Sequence, residues 1–273
     1  MAAALLEANG VAPTVVVTER PGHARELAQR LAANGVSTVV AWGGDGTINE
    51  VASALAFGGT SMAIVPSGSG NGLARELGIP FDPPAALAIA IDGRDRVMDA
   101  GELDGHLFFN IAGIGLDARI AHRFAANGLV RRGFARYLEI GLQEILAFQP
   151  DNHTVVVEGE TIRERTLLIA IANARQYGNG ALIAPDARID DGQLDVVVVA
   201  ARPAWRALLQ VPRVFLGQIG RVRGVTIRRT AEVEITSAHP VVYHVDGEPY
   251  VGAASITARI RPNALTVRVP RAG

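Results

Sequence analysis

The sequence predicts two dissimilar halves: an α/β nucleotide-binding domain built on a parallel sheet, then a β-rich, sandwich-like domain. Three observations carry that expectation. In the first part, short apolar runs alternate with helical patterns, the βαβ order of a parallel sheet with right-handed crossovers. Two strand-to-helix junctions there are glycine-rich, Gly43-Gly44-Asp45-Gly46 and Ser67-Gly68-Ser69-Gly70. After Pro150 the alternation gives way to successive strand-like runs with one helical interruption.

Taken in order, Met1 to Asn9 has helical composition and ends at Gly10, a C-cap residue. Thr14 to Thr18 is β-branched and reads as a strand. Pro21-Gly22 opens a helix that turns Leu27 and Leu31 inward and closes at Asn34-Gly35. Thr38 to Trp42 suits a buried strand; past the glycines, Ile48, Val51, Ala52 and Leu55 share one helical face. Met62 to Val65 is the next strand, Pro66 to Asn71 the next loop, and a helix follows from Leu73. Pro83 to Ile91 is an alanine-rich helix stopped at Asp92-Gly93.

The pattern then changes. Val97 to Ala100 and Leu107 to Asn110 read as strands joined at Asp104-Gly105, with helices over Asp117 to Ala126 and Phe134 to Phe148. Strands are expected at Thr154 to Val157, Thr166 to Ala172, Leu194 to Val199, Glu232 to Thr236, Val241 to Val245, Ser255 to Ile260 and Leu265 to Val269. One helix, Ala204 to Leu216, interrupts them. This gives a first domain over residues 1–97 and a second over 98–273, its C-terminal end able to pack back on the first.

A strand that ends in glycines and opens a helix accepts a phosphate. Glycine lets the backbone approach, and the free N–H groups and dipole of the helix N-terminus favour an anion. Ligands of parallel sheets bind at the C-terminal ends of the strands. Thr18, Gly43, Gly44, Asp45, Gly46, Thr47, Ser67, Gly68, Ser69 and Asn71 sit at such ends. They are the candidate nucleotide contacts, with Asn49 and Glu50 in the helix behind. Asp45 should repel phosphate unless it holds a bridging cation, which suggests a nucleotide bound with a divalent metal. A tight turn would equally explain an isolated Gly-Gly-Asp-Gly.

Composition narrows the chemistry. The 273 residues can bury a real core, and a net charge of −1 offers no global field to draw nucleic acid. Without cysteine there are no disulfides or thiolate sites, which fits a reducing, cytoplasmic interior. No leader is seen and the apolar runs are too short to span a bilayer. All 26 basic residues are arginine. That excludes a Walker A lysine, a protein-kinase lysine and Schiff-base chemistry, so backbone amides, arginine and metal must handle any phosphate. The six histidines show no metal-ligand spacing.

The pair Gly43-Gly44-Asp45-Gly46-Thr47 and Pro66-Ser67-Gly68-Ser69-Gly70-Asn71, followed by Leu73-Ala74-Arg75-Glu76-Leu77, resembles the diacylglycerol kinase catalytic-domain family. That family includes bacterial lipid kinases and sphingosine kinases. The resemblance implies transfer of the γ-phosphoryl group of ATP, with Mg²⁺, to a lipid hydroxyl. His244-Val245-Asp246-Gly247-Glu248-Pro249 is locally a hairpin signal. It is similar to the family's Asp-Gly-Glu motif, which implies Glu248 as the base. Asp190-Asp191-Gly192-Gln193-Leu194-Asp195 is locally a solvated turn. Its similarity to a family segment implies a structural magnesium outside the active site, held by Asp191 and the carbonyls of Arg188 and Gln193. Asp99 stands where the family keeps an acidic residue near its cleft.

Two departures accompany the resemblance. Family members usually open with a strand leading to an Asn-Pro-x-x-Gly loop, which this sequence does not show, leaving an expected exposed sheet edge. Gly72 stands where users of diacylglycerol commonly carry Asp, so among diacylglycerol, sphingoid and related lipids, diacylglycerol is expected to be a poor or non-exclusive acceptor. The alternatives are a soluble-substrate kinase resembling NAD kinase and a catalytically weak nucleotide-binding protein. The expected partner is a lipid met by peripheral contact at the inner membrane face, not nucleic acid, with a homodimer left open. The clusters Arg131-Arg132-Arg136 and Arg221-Arg223-Arg228-Arg229 are either solvated faces or headgroup contacts.

Overall fold

A computed structural model describes residues 6–7, 10–126, 141, 143–177 and 180–271. The expected helix at Met1 to Asn9, most of that at Phe134 to Phe148 and the cluster Arg131-Arg132-Arg136 lie outside them. The chain divides into two compact units, residues 1–98 with 263–273, and residues 99–262.

The first unit is α/β. It holds α1 (His23–Ala33), β1 (Thr38–Gly43), α2 (Asp45–Leu55), β2 (Ser61–Pro66), α3 (Gly72–Glu76) and α4 (Pro83–Asp92). It also holds the start of β3 (Arg94–Leu103) and the end of β13 (Ser255–Val269). β1 lies parallel to β2 from Thr38 opposite Ser61 to Gly43 opposite Pro66, and Val267 of β13 runs parallel to β2 opposite Met62. Every residue of β2 is buried, as a strand covered on both faces requires. α2 buries Ile48, Val51, Ala52 and Leu55, the face that the spacing marks out. α4 starts where it should: Asp82 accepts from the Ala85 N–H, and Pro83 follows at the first turn.

One expected strand is absent. Thr14 to Thr18 carries no regular secondary structure, and Val17 is 77% exposed. β-Branched composition favours a strand only where a neighbour supplies the hydrogen bonds. Among the described residues none pairs with this segment, and β1 ends its sheet order.

The second unit is built of antiparallel strands. After the end of β3 come β4 (His106–Phe108), β5 (Ile111–Gly115), α5 (Leu116–Ala126), β6 (Asp151–Val157), β7 (Glu160–Ala172) and β8 (Leu194–Ala200). Then follow α6 (Ala204–Phe215), a 3-10 turn (Ile219–Arg221), β9 (Val225–Thr230), β10 (Glu232–Ser237), β11 (Val242–Val245) and β12 (Glu248–Val251). β13 runs as one strand where two were expected, continuing through Arg261 to Ala264 although Asn263 takes a positive φ of 53°. β7 organises the unit: its first half pairs with β6, while its second half lies between β5 and β8.

Both faces of β7 and β8 are covered. Ile169, Ile171, Val196 and Val198 enter one core with Phe108, Val233, Ile235 and Tyr243. Ala170, Ala172 and Val197 enter another with Ile183, Ala184 and Ile219. Two covered faces explain why these segments are continuous apolar runs rather than alternating ones.

Candidate active site

In the first unit the two glycine loops touch. A Cβ on Gly68 would lie 2.6 Å from Gly44 Cα, and one on Gly43 would meet Thr47 Cβ at 2.5 Å, so neither position admits a side chain. Asp45, the first residue of α2, ties the loops together. Its Oδ2 accepts from the Asn71 N–H at 2.9 Å and its Oδ1 from the Gly72 N–H at 2.8 Å. Burial pushes the Asp45 carboxyl above its usual range, against the lowering effect of those N–H groups and of Arg75. Asn71, at φ 52°, closes its loop with two bonds: Oδ1 accepts from the Gly68 N–H and Nδ2 donates to the Gly68 carbonyl. Arg75 donates to the Gly70 carbonyl and lies over the Phe81 ring.

Ser67, Gly68 and Ser69 remain exposed at the tip, and Gly46 and Thr47 lie in the first turn of α2. This is an anion-accepting surface made of backbone. Three sequence candidates sit differently. Glu50 is spent on α1, accepting from the N–H groups of Gly22, Ala24 and Arg25, where the helix start has no side-chain cap of its own. Asn49 is buried within α2 and accepts from the Ser53 hydroxyl. Thr18 lies on the exposed irregular segment and not at a strand end.

In the second unit the structure gathers residues that the sequence keeps far apart. Glu248 is the exposed first residue of β12, opposite Val245 across the tight turn Asp246-Gly247, both of positive φ. Asp246 fixes that turn: its carboxylate accepts from the N–H groups of Phe109, Asn110 and Ile111. Beneath it, His244 is buried. Its Nδ1 accepts from the Gly247 N–H, and its Nε2 lies 3.5 Å from Asp117 Oδ2, which also accepts from the Tyr177 hydroxyl.

Asp99, on β3, is 3% exposed. Its N–H donates to the Ile189 carbonyl and its Oδ2 accepts from the Gly192 N–H, so it is bound to the loop that contains Asp191. Asn173 bridges both clusters, donating from Nδ2 to the carbonyls of Asp99 and Phe109. Among the described residues, Asn110 Oδ1 and Asn173 Oδ1 are buried acceptors without a partner. Sequence reasoning missed Asn110, Asn173 and Asp246. Their only signal was a polar residue ending an apolar strand.

The proposed magnesium loop holds an ion pair instead. Asp191 Oδ1 accepts from the Gln193 N–H and Oδ2 pairs with Arg229, whose guanidinium also lies 3.6 Å from Asp195. Arg188 points its guanidinium at Asp190, 3.6 Å away. No group of three or more His, Asp or Glu is placed for a metal among the described residues. One carboxylate already neutralised by an arginine does not fit a resident Mg²⁺ at Asp191, Arg188 and Gln193.

Comparison with known proteins bears on both units. Residues 1–103 match the model of the diacylglycerol kinase catalytic domain, and residues 110–269 that of the YegS C-terminal NAD kinase beta sandwich-like domain. A Pseudomonas aeruginosa protein described as "probable lipid kinase YegS-like" is 36% identical over 267 residues, covering 94% of this chain and 84% of that one. One from Yersinia enterocolitica with the same description is 34% identical, covering 97% and 90%. Among solved structures, a diacylglycerol kinase from Bacillus anthracis superposes with a TM-score of 0.74 at 18% identity, over 97% of this chain and 90% of that one. An Archaeoglobus fulgidus NAD kinase in complex with ATP gives 0.54 at 13% identity, over 97% and 86%. At those identities the two structures speak for the fold alone. Among the described residues no helix is long and apolar enough to cross a membrane.

Proposed function

The chain belongs to the diacylglycerol kinase catalytic-domain family, in its YegS-like lipid kinase branch, and we propose that it transfers the γ-phosphoryl group of ATP to a lipid hydroxyl. The observation that carries this reading is the junction of the two glycine loops, where Asp45 accepts from the Asn71 and Gly72 N–H groups and so holds the exposed Ser67–Ser69 tip beside the start of α2.

The triphosphate of ATP binds along the N–H groups of Gly46 and Thr47 in the first turn of α2 and of Ser69 and Gly70 at the loop tip, helped by the α2 dipole. In a chain without lysine, these amides are the neutral donors and Arg75 the cation that the loops offer. ATP enters as its Mg²⁺ complex, and the metal that arrives with it screens charge on the phosphates. Glu248 takes the proton of the acceptor hydroxyl as its oxygen bonds to the γ-phosphorus and the bond to the β-phosphate oxygen breaks, releasing ADP. Asp246 is its positioning residue, since three backbone N–H bonds hold the turn that presents Glu248. The unpartnered oxygens of Asn110 and Asn173 supply acceptors for a hydroxyl-bearing ligand.

Diacylglycerol is not the exclusive acceptor. At Gly72, where a further carboxylate would sit, the N–H already serves Asp45. The test is labelled ATP with diacylglycerol, monoacylglycerol, a sphingoid base, phosphatidylglycerol and NAD, each in mixed micelles. Label on a lipid other than diacylglycerol is the expected result. Label on NAD alone, or ATP hydrolysis indifferent to lipid, overturns the reading.

A further inference from the structure

Helix α6 carries two apolar stripes. Ala204, Ala207, Leu208, Val211 and Val214 are half-buried, and Val214 packs with the core around Ile183 and Ile219. On the opposite side, Trp205, Leu209, Pro212 and Leu216, at spacing i, i+4, i+7 and i+11, face outward. Trp205 is 58% exposed, Leu209 66% and Leu216 67%, and no residue of the helix is buried. Folding alone does not explain such a stripe, because its inner counterpart already supplies the packing.

Charge says what covers it. Between Asp195 and Glu232 the sequence has no acidic residue and seven arginines. Arg228 pairs with Glu160, and Arg229 with Asp191 and Asp195. The other five, Arg202, Arg206, Arg213, Arg221 and Arg223, form no ion pair with a carboxylate among the described residues. Arg206 lies over the Trp205 ring, and Arg206 and Arg213, seven residues apart, fall on one flank of the outer stripe. In a chain of net charge −1, this is a local excess of cations beside an exposed tryptophan and leucines.

We propose that α6 is an interfacial helix that docks the chain on an anionic lipid surface. Trp205, Leu209 and Leu216 enter the headgroup boundary while Arg206 and Arg213 meet the phosphates. This rests on the reading of a lipid acceptor, which places the substrate in the same surface.

The experiment is co-sedimentation of the full chain with phosphatidylglycerol–phosphatidylcholine vesicles and with pure phosphatidylcholine, without ATP. Preferential binding to the anionic vesicles is expected, weakened at least about tenfold by Leu209→Glu and also by the double change of Arg206 and Arg213 to Ala. All these side chains are exposed, so the fold and the elution volume should not change. No vesicle binding by the parent, or parent-like binding by both variants, overturns the proposal. So does a Leu209→Glu variant that elutes as a smaller species, which would make the stripe a contact between two copies. Phosphorylation in mixed micelles reads the acceptor separately: vesicle binding that Leu209→Glu abolishes, with no lipid labelled, keeps the docking face and rejects the lipid kinase.

Discussion

Replacing Asp45 with Asn separates two roles for one carboxylate. The oxygens of Asp45 accept from the Asn71 and Gly72 N–H groups at 2.9 and 2.8 Å, and a bond of this kind to a charged acceptor contributes about 1.5–3 kcal/mol. Asn keeps one acceptor and turns an NH₂ toward the other N–H, so one bond is lost and two donors face each other. The amide in turn escapes the burial that raises the Asp45 pKa, which offsets part of the loss. A net loosening of about 2 kcal/mol remains, and it should weaken ATP about 30-fold. The assay is the KM for ATP of parent and variant at several Mg²⁺ concentrations, beside a thermal melt. If Asp45 clamps the loops, extra Mg²⁺ leaves the KM deficit in place. An unchanged KM, or a deficit that Mg²⁺ abolishes, refutes the clamp and returns Asp45 to the metal.

Three further outcomes are expected. Glu248→Gln should slow turnover by roughly 10²–10⁴-fold with ATP affinity unchanged, since the residue acts on the acceptor; parent-like turnover reduces it to a hairpin residue. Adding a chelator without ATP should leave the melting temperature unchanged, because Arg229 already neutralises Asp191; a Mg²⁺-dependent rise that Asp191→Ala abolishes would restore a structural metal there. Burial holds the His153 pKa below its usual 6.5, so the folded chain takes up this proton less readily than the unfolded one. Its contribution to stability is therefore complete above pH 6.5 and lost as pH falls through the lower folded value. His153→Asn, which keeps an acceptor for the Thr166 hydroxyl, should flatten the drop in melting temperature between neutral and mildly acid pH; an unchanged slope rejects the assignment.

Where the sequence was legible, the determinant was local. The apolar spacing over Ile48 to Leu55 gave the buried face of α2, and Asp-Gly gave the turn before Glu248. Glycines marked the places where Gly44 and Gly68 meet, although not that they meet each other. What stayed hidden depends on partners distant in the chain. Thr14 to Thr18 has strand composition and no strand, because propensity cannot supply a neighbour. Glu50 sits one turn behind the first glycine loop, yet its carboxylate goes to α1. Asp99 and Asp191 were weighed as separate candidates, and the Gly192 N–H joins them through one bond.

Asp45 and Asp246 show why an acidic residue in a glycine turn is ambiguous from sequence. Each follows a strand end and, in a composition search, looks like chemistry. Each is instead bonded to backbone: Asp45 to two N–H groups at the neighbouring loop, Asp246 to three that lie 135 to 137 residues away. A carboxylate is suited to this because its two oxygens can accept several N–H groups at once, which no neutral side chain of that size can do. Glycine beside it removes the side chains that would hold the backbones apart. The sequence features that attract metal and base assignments are thus the ones a chain needs to lock a bare-backbone loop. Glu248 lies exposed beyond the turn that Asp246 fixes.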